Sequence, residues 1–277
     1  MKKVIYYHGN CADGWCSAYV LHRRWPGSEL IPCFYGTPPP EPEEVEGKDV
    51  IVVDFSWDRG TVKRLYASAA SFMLMDHHAT AEDEVGDLPY CRIDERWAGC
   101  QLAWQLAFGS EPEAWFVQYI ADRDLWHNKL PETHQVNAYL RTLPYTIQAW
   151  DAFVLKGSLQ QAKAYGYFLR MQQLKMVENI VSGVLYREVG GMVIPCVNAP
   201  PMLASDACHQ ILMEKPDEDV AGAWWVHRTK AGDLVEQWSL RGRTPKTKVH
   251  LIARKFGGGG HPAAAGFQVD VSYNEVE

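Results

Sequence analysis

The sequence predicts an α/β protein: an N-terminal mainly parallel sheet flanked by helices, a long connecting helix, and a smaller α/β C-terminal domain. Three observations carry this expectation. Strand-like, loop and helix-like segments alternate along the chain. The strand-like runs, such as those at 3–7 and 49–53, are apolar without period-two alternation, as expected of parallel strands covered on both faces. One helical stretch, 158–184, opens with Ser158 after Gly157, is far longer than the others, and connects two sets of shorter elements.

In chain order, the first strand, at 3–7, runs into the polar turn HGNCADG (8–14), and residues 15–24 follow as a helix. A second strand near 30–34 ends in a Pro-rich acidic segment, 36–47, which reads as a surface loop. The strand at 49–53 ends at Asp54, a helix occupies 59–69, and a strand at 72–75 ends at Asp76. Helices are expected at 98–108, 113–121 and 158–184. Beyond 189 come a strand at 192–198, a helix at 205–214, strands at 221–227 and 234–241, a helix at 247–256, the tetraglycine 257–260 and a last strand at 266–271. The domains are accordingly drawn at 1–157 and 189–277, with 158–188 as the connection.

Composition narrows the function. With 277 residues, 47% hydrophobic and 22% charged, the chain is ordinary globular material, neither disordered nor fibrous. No run approaches the length of a membrane span, and the short apolar stretch after MKK is no secretory signal, so no membrane partner and a cytoplasmic location are expected. Seven cysteines with no Cys-x-x-Cys pair fit reduced thiols rather than a zinc ribbon or a disulfide framework. The net charge of −7 argues against coating of duplex nucleic acid. Against that background, the segment 237–269 has no acidic residue but contains Arg241, Arg243, Lys246, Lys248, Arg254 and Lys255.

Ligands of open parallel sheets bind beyond the carboxyl ends of the strands. Three of the expected strands end in metal-binding residue types: His8 with Asp13, Asp54, and Asp76-His77-His78. A further acidic pair, Asp122 and Asp124, ends a helical stretch. Each item alone has an ordinary reading, Asp54 as a helix N-cap, Asp13-Gly14 as a turn and His8 as a hydrogen-bonded core residue. Together they suit Mn²⁺ or a related divalent ion held by nitrogen and oxygen donors, with a pair of ions able to activate water and neutralise phosphate charge.

The motifs HGNCADG, VVDFS, MDHHAT and YIADRDLW, followed by SLRGR (239–243) and GGGGHPAAAGF (257–267), resemble in kind and order those of the DHH phosphoesterases with their DHH-associated C-terminal domain. The resemblance covers nearly the whole chain. It implies a binuclear metal hydrolase, manganese-dependent with Mg²⁺ or Co²⁺ as alternatives, with His8, Asp13, Asp54, Asp76, His77 and Asp122 as metal ligands and Asp54 bridging the two ions. Asp124 is the alternative to Asp122, whose Ile-Ala-Asp context favours it. His78 and Asp76 are the implied catalytic pair, with His78 hydrogen-bonding the scissile phosphate. In the second domain the resemblance assigns substrate phosphates to Arg241, Gly258, Gly259, Gly260 and His261. One departure stands out. The first motif of the family usually carries two acids separated by one residue, and here the position aligned with the partner of Asp13 is Cys11, with Asn10 as a neighbouring candidate. Either one metal is bound more weakly or His8 and Asp13 suffice with a different split of ligands.

Metal ligands in one domain and phosphate donors in the other imply a substrate with two or more phosphates or a nucleotide chain. The basic segment is short, which favours short single-stranded RNA or DNA, or a nucleotide, over long tracts. The expected function is hydrolysis of short oligonucleotides in the manner of the nanoRNases, together with removal of the 3′-phosphate of pAp; a homodimer is compatible with this plan. The alternatives are a RecJ-like single-strand DNA exonuclease, a cyclic-dinucleotide phosphodiesterase, and a nucleotide-binding regulator without activity. An inorganic pyrophosphatase fits the basic segment less well. Trp57, Trp97 and Trp126 are candidate base-stacking residues.

Overall fold

A computed structural model describes residues 2–229 and 232–271; the last residues of the expected second domain, 272–277, lie outside the described residues. The chain divides into two compact units, Met1–Arg170 and Met171–Glu277.

In the first unit the elements are β1 (Lys3–His8), α1 (Ala12–Arg24), β2 (Glu29–Cys33), α2 (Pro42–Val45), β3 (Asp49–Val53), α3 (Arg59–Ser68), β4 (Ser71–Asp76), α4 (Ala79–Val85), β5 (Cys91–Ile93), α5 (Gly99–Phe108), α6 (Trp115–Asp124), α7 (Thr133–Leu140) and α8 (Ile147–Lys156). The five strands pair in the order β2-β1-β3-β4-β5, every pair parallel. The missing period-two alternation now has its cause. Ile5, Tyr7, Ile51 and Val53 pack on one face with α1, α5, α6 and α8 through Tyr19, Leu102, Ile120 and Trp150. The intervening Val4, Tyr6, Val50 and Val52 pack on the other face with Val62 and Leu65 of α3 and Val85 of α4. Both sides of each strand are therefore apolar.

The helix α9 (Leu159–Val181) follows Gly157 and Ser158, whose hydroxyl accepts from the Gln161 amide at 3.2 Å, and the boundary between the two units falls inside it. The second unit continues with β6 (Leu185–Val189), β7 (Met192–Asn198), α10 (Pro201–Glu214), β8 (Val220–Arg228), β9 (Leu234–Gly242), α11 (Val249–Arg254), β10 (Gly259–His261) and β11 (Ala264–Asp270). Its sheet runs β10-β11-β9-β8-β7-β6 and is antiparallel except at β7–β8. One face packs on α10 through Ala204, Ala207, Cys208 and Ile211, and the other on α11 through Val249, Ile252 and Ala253.

Several elements differ from expectation. The Pro-rich 36–47 segment contains the single-turn helix α2, begun at Pro42, where a proline can open a helix without losing a hydrogen bond. Helices α7 and α8 occupy a stretch left without elements, and β5 and β6 are additional edge strands. Two glycines of the tetraglycine, Gly259 and Gly260, lie in β10 at a sheet edge, a strand not expected from the sequence. No helix among the described residues is long and apolar enough to cross a membrane.

Candidate metal centre

Parallel pairing brings together residues that the chain keeps far apart. Strands β1, β3 and β4 are adjacent and point the same way, so His8, Asp54 and Asp76 emerge along one sheet edge. Asp54 turns out of β3 at φ 57°, in the left-handed region that Asp tolerates better than most side chains. Asp13 enters from the first turn of α1. The N-terminus of α5 closes the group from another side. The Gly99 and Cys100 amides donate to the two oxygens of Asp13 at 2.6 and 2.9 Å. Gly99 makes this approach possible, because a Cβ there would stand 2.6 Å from Asp54 Cβ and 2.9 Å from Asp13 Oδ2.

The centre is dense in ionisable groups. His77 Nε2 lies 3.0 Å from Asp54 Oδ1, 3.6 Å from Asp13 Oδ2 and 3.5 Å from Asp124 Oδ2. His8 Nδ1 is 3.5 Å from Asp54 Oδ2. The Asp76 carboxylate accepts from the His77 amide at 2.7 Å and from the His78 Nδ1–H at 2.7 Å, which holds the triplet in shape. Asp13, Asp54, Asp76 and His77 are no more than 2% exposed.

Electrostatics show how over-concentrated the carboxylates are. Asp13 has two charge-assisted amide bonds, each worth about 1.5–3 kcal/mol, at a helix N-terminus that favours anions. Even so, burial and the charges of Asp54 and Asp124 win, and push its pKa well above the usual range. Asp124, which is exposed at its outer face, is likewise raised, by desolvation and the charge of Asp54. Burial opposes charge on Asp54 as well, but the neighbouring His77 and His8 hold it well below the ordinary value. For His77, burial lowers the pKa while Asp54, Asp124 and Asp13 more than compensate, lifting it well above the imidazole range. Asp76 Oδ2 is buried without a hydrogen-bond partner, and Asp54 Oδ2 also makes no hydrogen bond. Isolated buried carboxylate oxygens cost several kcal/mol unless a cation faces them. The residues therefore fit a divalent metal centre. Within the first unit, three donor groups have ligand atoms mutually within 4.8 Å: Asp54 with Asp76, His77 and His78; His8 with Cys11 and Asp54; and Asp13 with His77 and Asp124.

Of the expected ligands, His8, Asp13, Asp54, Asp76 and His77 come together. Asp122 lies apart from them and joins none of the donor groups among the described residues. Its carboxylate accepts from the Lys129 amide at 3.0 Å, the Leu130 amide at 3.1 Å and the Thr133 hydroxyl, so it ties α6 to the start of α7. Asp124, the alternative, is the residue that reaches His77.

In the second unit, register places Ala264 of β11 opposite both Arg241 of β9 and His261 of β10, which puts Arg241 and His261 on one face. The Arg241 guanidinium donates to Ser205 Oγ at 3.2 Å, Ser239 Oγ at 3.1 Å and the Leu240 carbonyl at 2.8 Å, which fixes its orientation. Gly258 has a packing reason to be glycine: a Cβ would stand 2.1 Å from the Gly266 carbonyl oxygen. Trp57 packs edge-on against Tyr6 and Phe55, and Trp126 carries the Arg123 guanidinium 3.7 Å from its ring centroid.

The architecture is shared with solved structures of low sequence identity. An exopolyphosphatase-related protein from Bacteroides fragilis superposes with a TM-score of 0.53 at 13% identity, covering 99% of this chain and 88% of that one. RecJ from Thermus thermophilus, solved with Mn²⁺, superposes with a TM-score of 0.52 at 16% identity, covering 97% of this chain and 49% of RecJ. By sequence, the chain is 27% identical over 285 residues to the uncharacterized protein R106 of Acanthamoeba polyphaga mimivirus, spanning 95% of this chain and 66% of that relative. No protein-family model matches the chain.

Proposed function

We propose that the protein is a metal-dependent phosphoesterase that hydrolyses phosphodiester bonds of short oligonucleotides. The observation that carries this reading is the convergence of buried carboxylates and imidazoles at the carboxyl edge of β1, β3 and β4, with two carboxylate oxygens lacking hydrogen bonds. The names of the fold neighbours, RecJ and an exopolyphosphatase-related protein, support chemistry at phosphorus.

Divalent cations in this centre would polarise an attacking water and offset the charge of a phosphate. His8, Asp13, Asp54, Asp76, His77 and Asp124 are the proposed ligands, with Asp54 shared because its two oxygens face His77 and His8 separately. Asp76 has a second duty. By accepting the His78 Nδ1–H it fixes the ring orientation, and a phosphate oxygen would accept from Nε2–H when the ring carries both protons. Arg241, held by Ser205 and Ser239, and His261 are the proposed phosphate-binding groups of the second unit. A guanidinium fixed in advance loses less freedom when it binds an anion.

The test is hydrolysis of end-labelled RNA and DNA, from dinucleotides to long single strands, with Mn²⁺, and with pAp and pyrophosphate alongside. Preference for the shortest oligonucleotides supports the proposal. Efficient ladders on long single strands point to a RecJ-like exonuclease, and no turnover of any substrate overturns the enzymatic reading.

A further inference from the structure

We propose that Cys11 supplies a thiolate ligand to the metal centre, in a donor set with His8 and Asp54, and that it tilts the centre toward thiophilic divalent ions such as Zn²⁺ and Co²⁺. This rests on the reading of the cluster as a metal centre and gives one donor an identity that sets the metal. Cys11 is the N-cap of α1, where a Ser, Thr, Asp or Asn side chain normally accepts from a first-turn amide. Cys11 makes no such capping bond; only its backbone carbonyl is used, accepting from the Trp15 amide at 3.0 Å. Its sulfur instead stands among donor atoms of His8 and Asp54, all mutually within 4.8 Å. Donors bound to one tetrahedral ion, at about 2.0–2.3 Å each, stand roughly 3.3–3.8 Å apart, so small adjustments close this set on a metal.

A second observation points to a ligand independently of the sulfur. Asp54 is 1% exposed, and its Oδ2, the oxygen that faces His8, makes no hydrogen bond. The neighbouring His8 Nδ1 is buried and makes none either. Three potential ligand atoms thus converge with two of them lacking hydrogen bonds. Five of the other cysteines, Cys16, Cys33, Cys100, Cys196 and Cys208, are buried, and Cys91 joins no donor group among the described residues. On binding, the Cys11 S–H bond breaks, the proton goes to solvent, and the sulfur electron pair forms the metal–sulfur bond. A thiolate is softer than the carboxylate oxygen an acid at this position would offer, and soft donors favour Zn²⁺ and Co²⁺ over Mn²⁺ and Mg²⁺.

Zn²⁺ outranks Mn²⁺ at most nitrogen and oxygen sites, so the ratio of the two affinities and its change on substitution is the diagnostic. The experiment titrates the chelator-stripped full-length protein with Co²⁺ and records its absorption. Wild type should develop a near-ultraviolet sulfur-to-cobalt charge-transfer band that saturates with binding. Cys11→Ser and Cys11→Asp should still bind Co²⁺, read from the visible ligand-field bands, but without that band. In Cys11→Asp the preference for Zn²⁺ over Mn²⁺ should fall by about tenfold or more, the scale on which even the outer partners of metal ligands act. Co²⁺ bound without a charge-transfer band, or a band that survives Cys11→Ser, overturns the thiolate and leaves the metal centre standing. Wild type that binds no Co²⁺, Zn²⁺ or Mn²⁺ overturns both. Should the variants fail to fold by circular dichroism, alkylation of the wild type decides: bound Zn²⁺ should protect Cys11 from iodoacetamide, and equal labelling with and without metal overturns the proposal.

Discussion

Asp122 and Asp124 stand two positions apart on the last turn of α6 and have opposite surroundings. At about 100° per residue they lie roughly 200° apart around the helix, so when one faces the centre the other faces away. Asp124→Asn should therefore weaken metal binding by about tenfold or more in a competition titration while leaving the urea midpoint nearly unchanged. Asp122→Ala should do the reverse, costing about 2–3 kcal/mol in urea denaturation because two amides and a hydroxyl lose their acceptor. Equal effects of the two substitutions would contradict the division of roles. The pair also shows what was legible at this scale. The residue types, the order of the motifs and five of the six residues proposed as ligands could be read from the chain. Which acid of Asp-Arg-Asp turns inward depends on the rotation of α6, and that is set by packing of Phe116 and Ile120 against the sheet rather than by the local sequence.

At the scale of elements, β1, β3 and β4 were legible because continuous apolar runs ending in polar residues are a strong local signal. The short edge strand β5 has three residues, too few for any period, and β6 is half-exposed and reads as mixed polarity. Helix α7 follows Glu132, its N-cap, held at φ 56°, and is anchored through Thr133 to Asp122, a tertiary arrangement no local pattern announces. For α8 the signals were present: Thr146 caps by accepting from the Ala149 amide at 3.3 Å, and Gly157 ends the helix.

Two predictions belong to these elements. Gly99→Ala, at the N-terminus of α5, forces a methyl group against Asp54 and Asp13; the overpacking should cost about 1–3 kcal/mol and weaken metal binding, measured by denaturation and Co²⁺ titration. Asp58 caps α3, accepting from the Thr61 amide at 3.1 Å and the Thr61 hydroxyl at 2.6 Å, and these bonds hold its carboxyl below the ordinary range. Asp58→Ala should cost about 1 kcal/mol at neutral pH. Since the folded pKa is the lower one, that contribution is complete above the ordinary carboxylate pKa of about 3.9 and fades as pH falls through the depressed value. Thermal melts of both proteins should therefore converge in acid, and a constant gap would count against the cap as its source.

For the whole molecule, a metal that binds only the folded state adds stability by mass action, about 2.7 kcal/mol at a concentration one hundred times its Kd. Divalent metal should raise the melting temperature, a chelator should reverse the rise, and hydrogen exchange should slow at the Gly99 and Cys100 amides that hold Asp13. A melting temperature indifferent to every divalent ion would exclude a tight centre. The second unit carries the basic segment, so positive charge is concentrated locally in a chain whose net value is −7. Salt should accordingly weaken nucleotide binding more than it alters the melting temperature.

The strand order β2-β1-β3-β4-β5 has a consequence for the timing of synthesis. The first donors, His8, Cys11 and Asp13, leave the ribosome long before Asp124, and between His8 and Asp124 lie four connections between parallel strands and the helix α5 that holds Asp13. During that interval the sheet edge presents thiol, imidazole and carboxylate groups with no completed cage. The emerging chain can therefore hold metal only loosely, and tight capture waits until α6 has been made and has docked. An ion bound by this centre would therefore be selected by exchange after the first unit has closed, and not by the first ion the nascent chain meets.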